Sequence, residues 1–403
     1  MLSFIFNTGA ENLLTPLTES ALTSLGFFWK SFWAFVLGYT ASALIQAFVP
    51  KKALIKYLGT RPLRSISLAT LFGALSSSCS FAALSTARAL FQRGAGFRSA
   101  VAFMFASTNL VIELGILIYI FLGWELVLAE VIGGVVLIAL SSLLITLLIP
   151  QAWVEAARKR LAEKGFTLEA DFDWRARIRS SEGWLRVADR FAMEWKMAWE
   201  DITIGFTVAG LVATLVPAHF WAELFLVEAA DELPGWLIAL ENAAIAPFVA
   251  AATFIGSMGN IPLATVLASS GVLFAGLMGF IYSDLVVPPL VLINKKYYGW
   301  RIALAIAGVM YISIVLTALL LNGGFSAMGW LPESQRAVEE VTRFKVDYSF
   351  WLNIAFFLLF ALLWGIYLVR KGSFSLALPT FKRGLVYACL LFLLAGALQG
   401  IMA

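Results

Sequence analysis

The chain has 403 residues, of which 61% are hydrophobic and 13% charged, and its formal net charge is +4. A soluble domain usually carries about a quarter of its residues as charged side chains, so this composition excludes a soluble enzyme. Spanning the hydrocarbon core of a bilayer takes roughly 20 apolar residues per helix. Such runs recur along the chain between short polar segments, which predicts a helical protein that crosses the membrane several times.

Eight apolar runs predict full membrane spans, and two further runs behave differently. The eight are 26–48, 99–122, 124–149, 198–220, 272–293, 302–322, 349–369 and 384–401. The other two, 65–92 and 241–271, are interrupted near their centres by the small residues of 76–80 and 256–260. Glycine and other small residues allow a tight turn or an unwound segment. We therefore expect a broken helical hairpin in each of these two runs.

The positions of Lys and Arg assign each connection to a side of the membrane, because cytoplasmic connections are rich in these residues. Basic residues flank the first hairpin at both ends, in 51–64 and 88–98, so it is expected to enter from the cytoplasm. The connection before the second hairpin, 221–240, contains acidic residues and no basic one, which is typical of the outer face. The two hairpins are therefore predicted to enter from opposite faces, with both chain termini outside.

Hairpins that enter from opposite faces predict an inverted repeat, and the sequence contains a matching pair of segments. Residues 37–50 (LGYTASALIQAFVP) align without gaps on 204–217 (IGFTVAGLVATLVP), and each segment precedes a hairpin. The hairpin centres also align, SSCSFAALST on GSMGNIPLAT. After each hairpin comes a helix with a polar break, at 107–111 and at 283–286. This shared order of elements is typical of transporters built from repeats.

These elements predict five regions along the chain. They are a first transmembrane repeat (1–150), a cytoplasmic amphipathic linker (151–196), a second transmembrane repeat (197–322), an external loop (323–348) and a C-terminal pair of transmembrane helices (349–403). The linker is rich in Arg and Trp, which is typical of a helix lying on a membrane surface. A plain solvated connector explains its composition nearly as well. The predicted fold class is an all-α membrane protein with two inverted repeats, each with a re-entrant hairpin, and about eight full spans.

The hairpin centres form the predicted substrate site, because non-helical backbone at membrane depth must be enclosed by protein or line a watery cavity. Helix N-termini that meet there favour an anion or an electron-rich group. The predicted binding residues are Ser77, Ser78, Cys79, Ser80, Ser257, Met258, Gly259, Asn260 and Asn109. Close packing of small residues between membrane helices is the alternative explanation of the same pattern.

Cys79 and Met258 occupy equivalent positions in the two centres, so two sulfur atoms are expected to face each other there. A thiolate at helix N-termini binds soft metals and metalloids. A free cysteine is more often a small buried filler, and that interpretation stays open. The chain has only two cysteines and one histidine, too few for a clustered metal site, and no cofactor is expected.

Carboxylates within membrane spans usually mark an ion or proton path. Asp284, near the middle of its predicted span, is the first candidate for proton coupling, and Glu113, one turn beyond Asn109, is the second. Glu125 and Glu130 are close to the predicted start of a span, where we expect them to snorkel or to face water.

Short motifs in this chain resemble those of a known family. They are the first hairpin centre 77–84 (SSCSFAAL), the basic turn 93–95 (RGA), the helix 102–109 (AFMFASTN) and the second centre 259–264 (GNIPLA). They are similar to the predicted-permease family that includes the ArsP organoarsenical efflux proteins. The resemblance implies a ten-segment inner-membrane permease and, for the ArsP relatives, export of trivalent organoarsenicals. Ser77, Ser80 and Ala83 stand where the family has Cys, Gly and Pro, which counts against specificity for arsenic.

The predicted function is a secondary transporter that moves a small solute by alternating access, with organoarsenical efflux as the specific interpretation. A channel or carrier for a small inorganic anion or a thiol-containing solute stays open, as does a subunit of a larger machine. An intramembrane enzyme is disfavoured by the scarcity of histidine, cysteine and paired carboxylates. The expected partners are a small-molecule substrate and the lipid bilayer, with no nucleic acid; a homo-oligomer stays open.

Overall fold

A computed structural model describes residues 10–48, 62–76, 80–162, 174–253, 256–332, 337–371 and 380–402. All regular secondary structure in these ranges is helical. A helix satisfies every backbone polar group within its own segment, as a bilayer requires. Within the described ranges six helices are long and apolar enough to cross a membrane, and two bent helix pairs raise the number to as many as eight. The chain is therefore an all-α, multi-pass membrane protein, as its composition predicted.

Eighteen α-helices occur in the described residues. The first nine are α1 (Ala10–Phe48), α2 (Pro62–Ser76), α3 (Ser80–Gln92), α4 (Phe97–Asn109), α5 (Ile112–Phe121), α6 (Trp124–Leu148), α7 (Gln151–Ala162), α8 (Trp174–Ile178) and α9 (Ser181–Leu215). The others are α10 (Ala218–Leu224), α11 (Gly235–Thr253), α12 (Ser257–Ser269), α13 (Phe274–Ile281), α14 (Pro288–Tyr298), α15 (Trp300–Met328), α16 (Val338–Thr342), α17 (Tyr348–Lys371) and α18 (Thr380–Met402). Short 3-10 turns occur at Val227–Asp231 and Tyr282–Leu285.

The two predicted hairpins each contain two helices. We call α2–α3 the first helix pair and α11–α12 the second helix pair. The second break lies earlier than the sequence predicted, because α11 ends at Thr253 and Ser257 already begins α12. Residues 257–260 form the first turn of α12 and are not the unwound segment, which corrects the expected position of this centre. Entry of each pair from a single face of the membrane stays a prediction.

The spans predicted at 99–122 and 272–293 are bent, each close to its polar break. Helices α4 and α5 meet at an angle of 40°, and α4 ends at Asn109. In the second half the bend is 41° and contains the 3-10 turn Tyr282–Leu285, after which Pro288 begins α14. Proline restricts the residue before it to extended backbone and cannot continue a preceding helix. Val287 is accordingly extended, so Asp284 lies within the bend and not within a regular helix.

The two halves pair their helices in the same way. Helices α1 and α9, which carry the aligned segments 37–50 and 204–217, pack together most extensively. The first helix of each pair packs against the helix that follows the pair in the sequence. These contacts are α2 on α4 and α11 on α13. A Cβ added to Gly73 of α2 would lie 2.5 Å from the carbonyl oxygen of Phe103 on α4, so glycine permits this close approach. The inverted orientation of the halves stays a prediction.

Helix α9 extends further than the sequence predicted. It runs without interruption from Ser181 to Leu215, so the expected border between the linker 151–196 and the span 198–220 falls inside one helix. Its start is capped by the Ser180 side chain, which accepts a hydrogen bond of 3.1 Å from the backbone N–H of Gly183. The C-terminal helices α17 and α18 pack against α1 and α9.

Candidate functional site

Asp284 lies in the 3-10 turn at the bend between α13 and α14, and only 1% of its surface is exposed. The hydroxyl of Ser80 donates a 2.9 Å hydrogen bond to its Oδ2. The Ser257 side chain is a second polar neighbour of the same carboxyl group. Ser80 is the first residue of α3, and Ser257 is the first residue of α12. The second helix of each pair, α3 or α12, therefore begins at the carboxyl group of Asp284.

Two helix N-termini converge on this carboxyl group. Helices α3 and α12 each have 13 residues, and their N-terminal residues contact Asp284. The N-terminus of a helix carries a partial positive charge and free N–H groups, which stabilise a negative group nearby. The sequence predicted that such termini favour an anion or an electron-rich group. The position that favours an anion holds the carboxyl group of Asp284 instead.

Asn260 lies one turn after Ser257 on α12 and is fully buried. Neither its amide oxygen nor its amide nitrogen has a hydrogen-bond partner among the described residues. Burying an unpaired amide costs about 1–3 kcal/mol in proteins, so this side chain is suited to a ligand. Pro262 in the same helix lacks an N–H, which leaves the carbonyl of Met258 without its helical donor.

The other predicted residues of α12 have less polar surroundings. Gly259 is buried, and the half-buried side chain of Met258 packs against the apolar core. Ser77, Ser78 and Cys79 lie outside the described residues, so the facing sulfur atoms stay a prediction. The part of the chain that the structure describes has no group of three or more His, Cys, Asp or Glu that could hold a metal ion.

Asn109 ends α4 and is buried, and it faces a groove rather than a helix partner. Its Nδ2 donates to the carbonyl oxygen of Phe105 at 3.3 Å, while its Oδ1 has no partner among the described residues. The groove has a volume of about 920 Å³ and lies between α2, the α4–α5 bend and α6. Its walls are mostly apolar side chains. Asn109 therefore lies at the groove with a buried acceptor that has no partner among the described residues.

Glu130 also lines this groove, which corrects the expectation that it snorkels or faces water. Only 2% of its surface is exposed, and neither carboxyl oxygen has a hydrogen-bond partner among the described residues. Helix α6 begins at Trp124, so Glu130 lies nearly two turns inside the helix. It also interacts electrostatically with Asp284. In the sequence, Glu130 was recognisable only as a residue close to the predicted start of a span. In the structure, tertiary packing shields it from solvent.

Two other carboxylates lie close to neighbouring helices. Glu113 in the first turn of α5 is buried on the side of α1, where a Cβ added to Gly38 would lie 2.4 Å from the Cβ of Glu113. Asp201 on α9 lies close to the start of α12, since a Cβ added to Gly256 would be 3.7 Å from its Oδ2. Asp201 was not among the predicted residues. Its signal in the sequence was an adjacent pair of acidic residues followed by an apolar run.

Comparison with known proteins identifies the family. A profile described as "Predicted permease", ArsP_1, matches residues 17–323. The chain belongs to this predicted-permease family. The matched region contains the Ser80–Asp284 contact and ends within α15, so it leaves out the C-terminal helices α17 and α18. The resemblance seen in the sequence motifs is thus confirmed.

One curated relative supports the same assignment. The chain is 36% identical to "Putative permease Rv2963" of Mycobacterium tuberculosis over 329 residues, which cover 78% of this chain and 79% of the relative. No solved structure matches the chain.

Proposed function

We propose that this permease is a secondary transporter of the inner membrane, with residues 151–196 on the cytoplasmic side, and that it moves a small solute by alternating access. The hydrogen bond between Ser80 and Asp284 is the main support for this proposal, because it joins the first helix pair to the bend of the second half. Membership of a permease family supports transport rather than catalysis.

In this mechanism the halves rock about the contact between their helix pairs. Contacts that cross between the halves include α5 on α12 and α3 on α14. The Ser80–Asp284 bond lies at this crossing and must break or exchange partners when the halves move apart. A substrate or a proton that binds Asp284 competes with Ser80 for the carboxylate. Binding at Asp284 is thereby linked to the relative position of the halves.

The chemistry of the site favours a neutral or cationic solute that donates hydrogen bonds. The available groups are the carboxyl group of Asp284, the amide of Asn260 and the carbonyl of Met258. A fixed carboxylate repels an inorganic anion, which counts against the anion carrier. Methylarsenite is uncharged at neutral pH and carries hydroxyl donors, so trivalent organoarsenical efflux fits these groups. Proton coupling through Asp284, with Glu113 as a second carboxylate, completes the proposal.

Counterflow in proteoliposomes tests the proposal. Vesicles that contain the full chain are loaded with unlabelled methylarsenite, and accumulation of external labelled methylarsenite is measured. A carrier gives transient accumulation above equilibrium, whereas a channel gives none. Ser80→Ala and Asp284→Asn are expected to lower the exchange rate, and Ser326→Ala, at an exposed serine on α15, is the matched control. Equilibration without overshoot contradicts alternating access, and the absence of any flux contradicts the choice of organoarsenicals.

A further inference from the structure

Glu130 is a buried carboxyl group to which neither the sequence nor the family assigns a role. Both of its carboxyl oxygens are buried, and the hydroxyl of the neighbouring Tyr282 donates to backbone carbonyls rather than to this carboxyl group. An ionised carboxylate without hydrogen bonds is very costly to bury at membrane depth. Such a group therefore carries a proton or has a cation beside it. Residues of this kind are retained where an ion must pass.

Tyr282 links Glu130 to the substrate site. Its hydroxyl is fully buried and donates to the backbone carbonyls of Ala129 and Glu130, each at 3.1 Å. Tyr282 belongs to the same 3-10 turn as Asp284, so this contact fixes the turn against α6. A Cβ added to Gly133 would lie 2.3 Å from the Tyr282 hydroxyl, and glycine at this position therefore makes room for the tyrosine. The turn that contains Asp284 is thereby packed against the segment of α6 that contains Glu130.

The groove connects Glu130 with the end of the bundle at which Arg98 lies. Its lining contains polar side chains among the apolar ones, including Ser142 and Thr146 on the same helix as Glu130. At the far end Arg98 donates a 3.1 Å hydrogen bond to the hydroxyl of Thr146. Thr146 lies about 24 Å from Glu130 along the helix axis, at a rise of 1.5 Å per residue. The groove therefore runs from Glu130 towards the side that the charge pattern predicts to be cytoplasmic.

We propose that Glu130 is a proton-binding group through which Asp284 exchanges protons with the groove. The inference rests on the proposed transport function and adds a second carboxyl group to its proton path. Proton binding removes the charge of the buried carboxyl group and requires no further ligand from the protein. Because two interacting carboxylates repel each other in a medium of low dielectric constant, Glu130 and Asp284 are not expected to be ionised at the same time.

The groups that face Glu130 from neighbouring helices support a proton rather than a fixed counter-ion. From the bend of the second half, Tyr282 and Asp284 interact with it. Helix α5 directs Glu113 towards α1. Helix α4 contributes Arg98 only at the far end of the groove.

The remaining neighbours on α15 and α6 supply no cation beside Glu130 in the described residues. On α15, Arg301 is exposed at the helix start, and the Tyr311 hydroxyl donates to the carbonyl of Ala244 on α11. On α6 itself, Glu125 is half-buried at the first turn. Sodium or another external cation is the alternative ligand, and the test below distinguishes it from a proton.

Infrared spectroscopy of the purified full chain in nanodiscs tests the proposal without a transport substrate. The carbonyl stretch of protonated carboxyl groups is recorded during a pH titration in potassium-free and sodium-free buffer. Glu130→Gln is expected to remove one titrating component, and Ser326→Ala, at the exposed serine on α15, is expected to leave the protonated-carboxyl region unchanged. In Asp284→Asn the midpoint of the Glu130 component is expected to move by about one pH unit, because the two groups interact. If Glu130→Gln does not fold, Glu130→Asp shifts the frequency of the same component.

Unchanged spectra in Glu130→Gln would overturn the proposal, as would a Glu130 component that disappears on addition of sodium at constant pH. An unchanged midpoint in Asp284→Asn would overturn the exchange with Asp284. A transport measurement then distinguishes the proposed role of Glu130 from the proposed transport of methylarsenite. Methylarsenite flux driven by a pH gradient is expected to fall at least about tenfold in Glu130→Gln, while counterflow without a gradient is retained. If the wild type moves no methylarsenite, the substrate proposal fails and the infrared titration still decides the role of Glu130.

Discussion

Ser80 and Asp284 are 204 positions apart in the sequence and are joined by a hydrogen bond of 2.9 Å at the point where two helix N-termini converge. The serine begins the second arm of the first helix pair, and the aspartate lies in the bend of the other half. In the proposed mechanism, a carboxylate held in this way responds directly to movement between the halves. It is therefore the position where binding of a proton or a substrate can be converted into a change of conformation.

Asp284→Asn is expected to abolish transport driven by a pH gradient while leaving the protein folded. The amide has nearly the shape of the carboxyl group and keeps an acceptor for Ser80, but it cannot carry a proton. The measurement is methylarsenite uptake in vesicles with and without an imposed gradient. Uptake that still depends on the gradient in this variant would show that coupling occurs elsewhere, for example at Glu113.

Asn260→Leu is expected to stabilise the folded protein and to weaken transport. Leucine has a similar size and removes a buried amide that has no partner among the described residues, which corresponds to a gain of about 1 kcal/mol. The same change deletes a ligand group, so the apparent affinity for substrate is expected to fall about tenfold. Thermal unfolding in detergent and the concentration dependence of exchange measure the two effects. A less stable variant with unchanged affinity would mean that Asn260 has a structural role.

Gly73→Ala is expected to destabilise the first half. The added Cβ would meet the Phe103 carbonyl oxygen at 2.5 Å, and such overpacking typically costs about 1–3 kcal/mol. Gly308→Ala on α15 is the matched control, because nothing lies within 4 Å of a Cβ at that exposed position. The control is expected to be as stable as the wild type or slightly more stable, since alanine favours helices. Equal melting temperatures for the two variants would contradict the close packing of α2 on α4.

Asp347 outside the spans provides a pH-dependent link between α1 and α17. Burial opposes its ionisation, but hydrogen bonds from Lys30 and Ser349 outweigh it and lower the pKa of Asp347 to about 2. The carboxyl of an unfolded chain titrates near pH 3.9, so the stabilisation is present above that pH and is lost as the pH falls towards 2. Asp347→Asn is expected to unfold at a lower temperature at pH 7, and its difference from the wild type is expected to disappear towards pH 2. Glu182→Gln, in the exposed pair with Arg186, serves as the control and is expected to change little. A difference that is independent of pH would contradict this account.

Much of the architecture follows from local sequence signals. Hydropathy predicts the spans, and the polar residues at 107–111 mark the place where α4 ends at Asn109. The sequence alone singles out Asp284, because a carboxylate within an apolar span is rarely retained without a function. These features depend on residues that are close together in the chain.

The features that were missed depend on tertiary packing. Hydropathy placed Glu130 near the start of a span, but its burial depends on the Tyr282 turn that packs against α6. No local signal showed that α9 runs without a break from Ser181 through the charged segment to Leu215. The partner of Asp284 could not be deduced either, since a hydrogen bond between residues 204 positions apart has no local signature.

The central claim is that Ser80 and Asp284 act as one unit in transport. It is tested most directly by a double-mutant cycle of methylarsenite counterflow with Ser80→Ala, Asp284→Ala and the double variant, because alanine removes the acceptor of the Ser80 hydrogen bond. Each single variant is expected to exchange about tenfold or more slowly, because a hydrogen bond to a charged group contributes about 1.5–3 kcal/mol. The account predicts that the double variant is no slower than Asp284→Ala alone. If the exchange rate of the double variant is reduced by the product of the two single reductions, the account is contradicted.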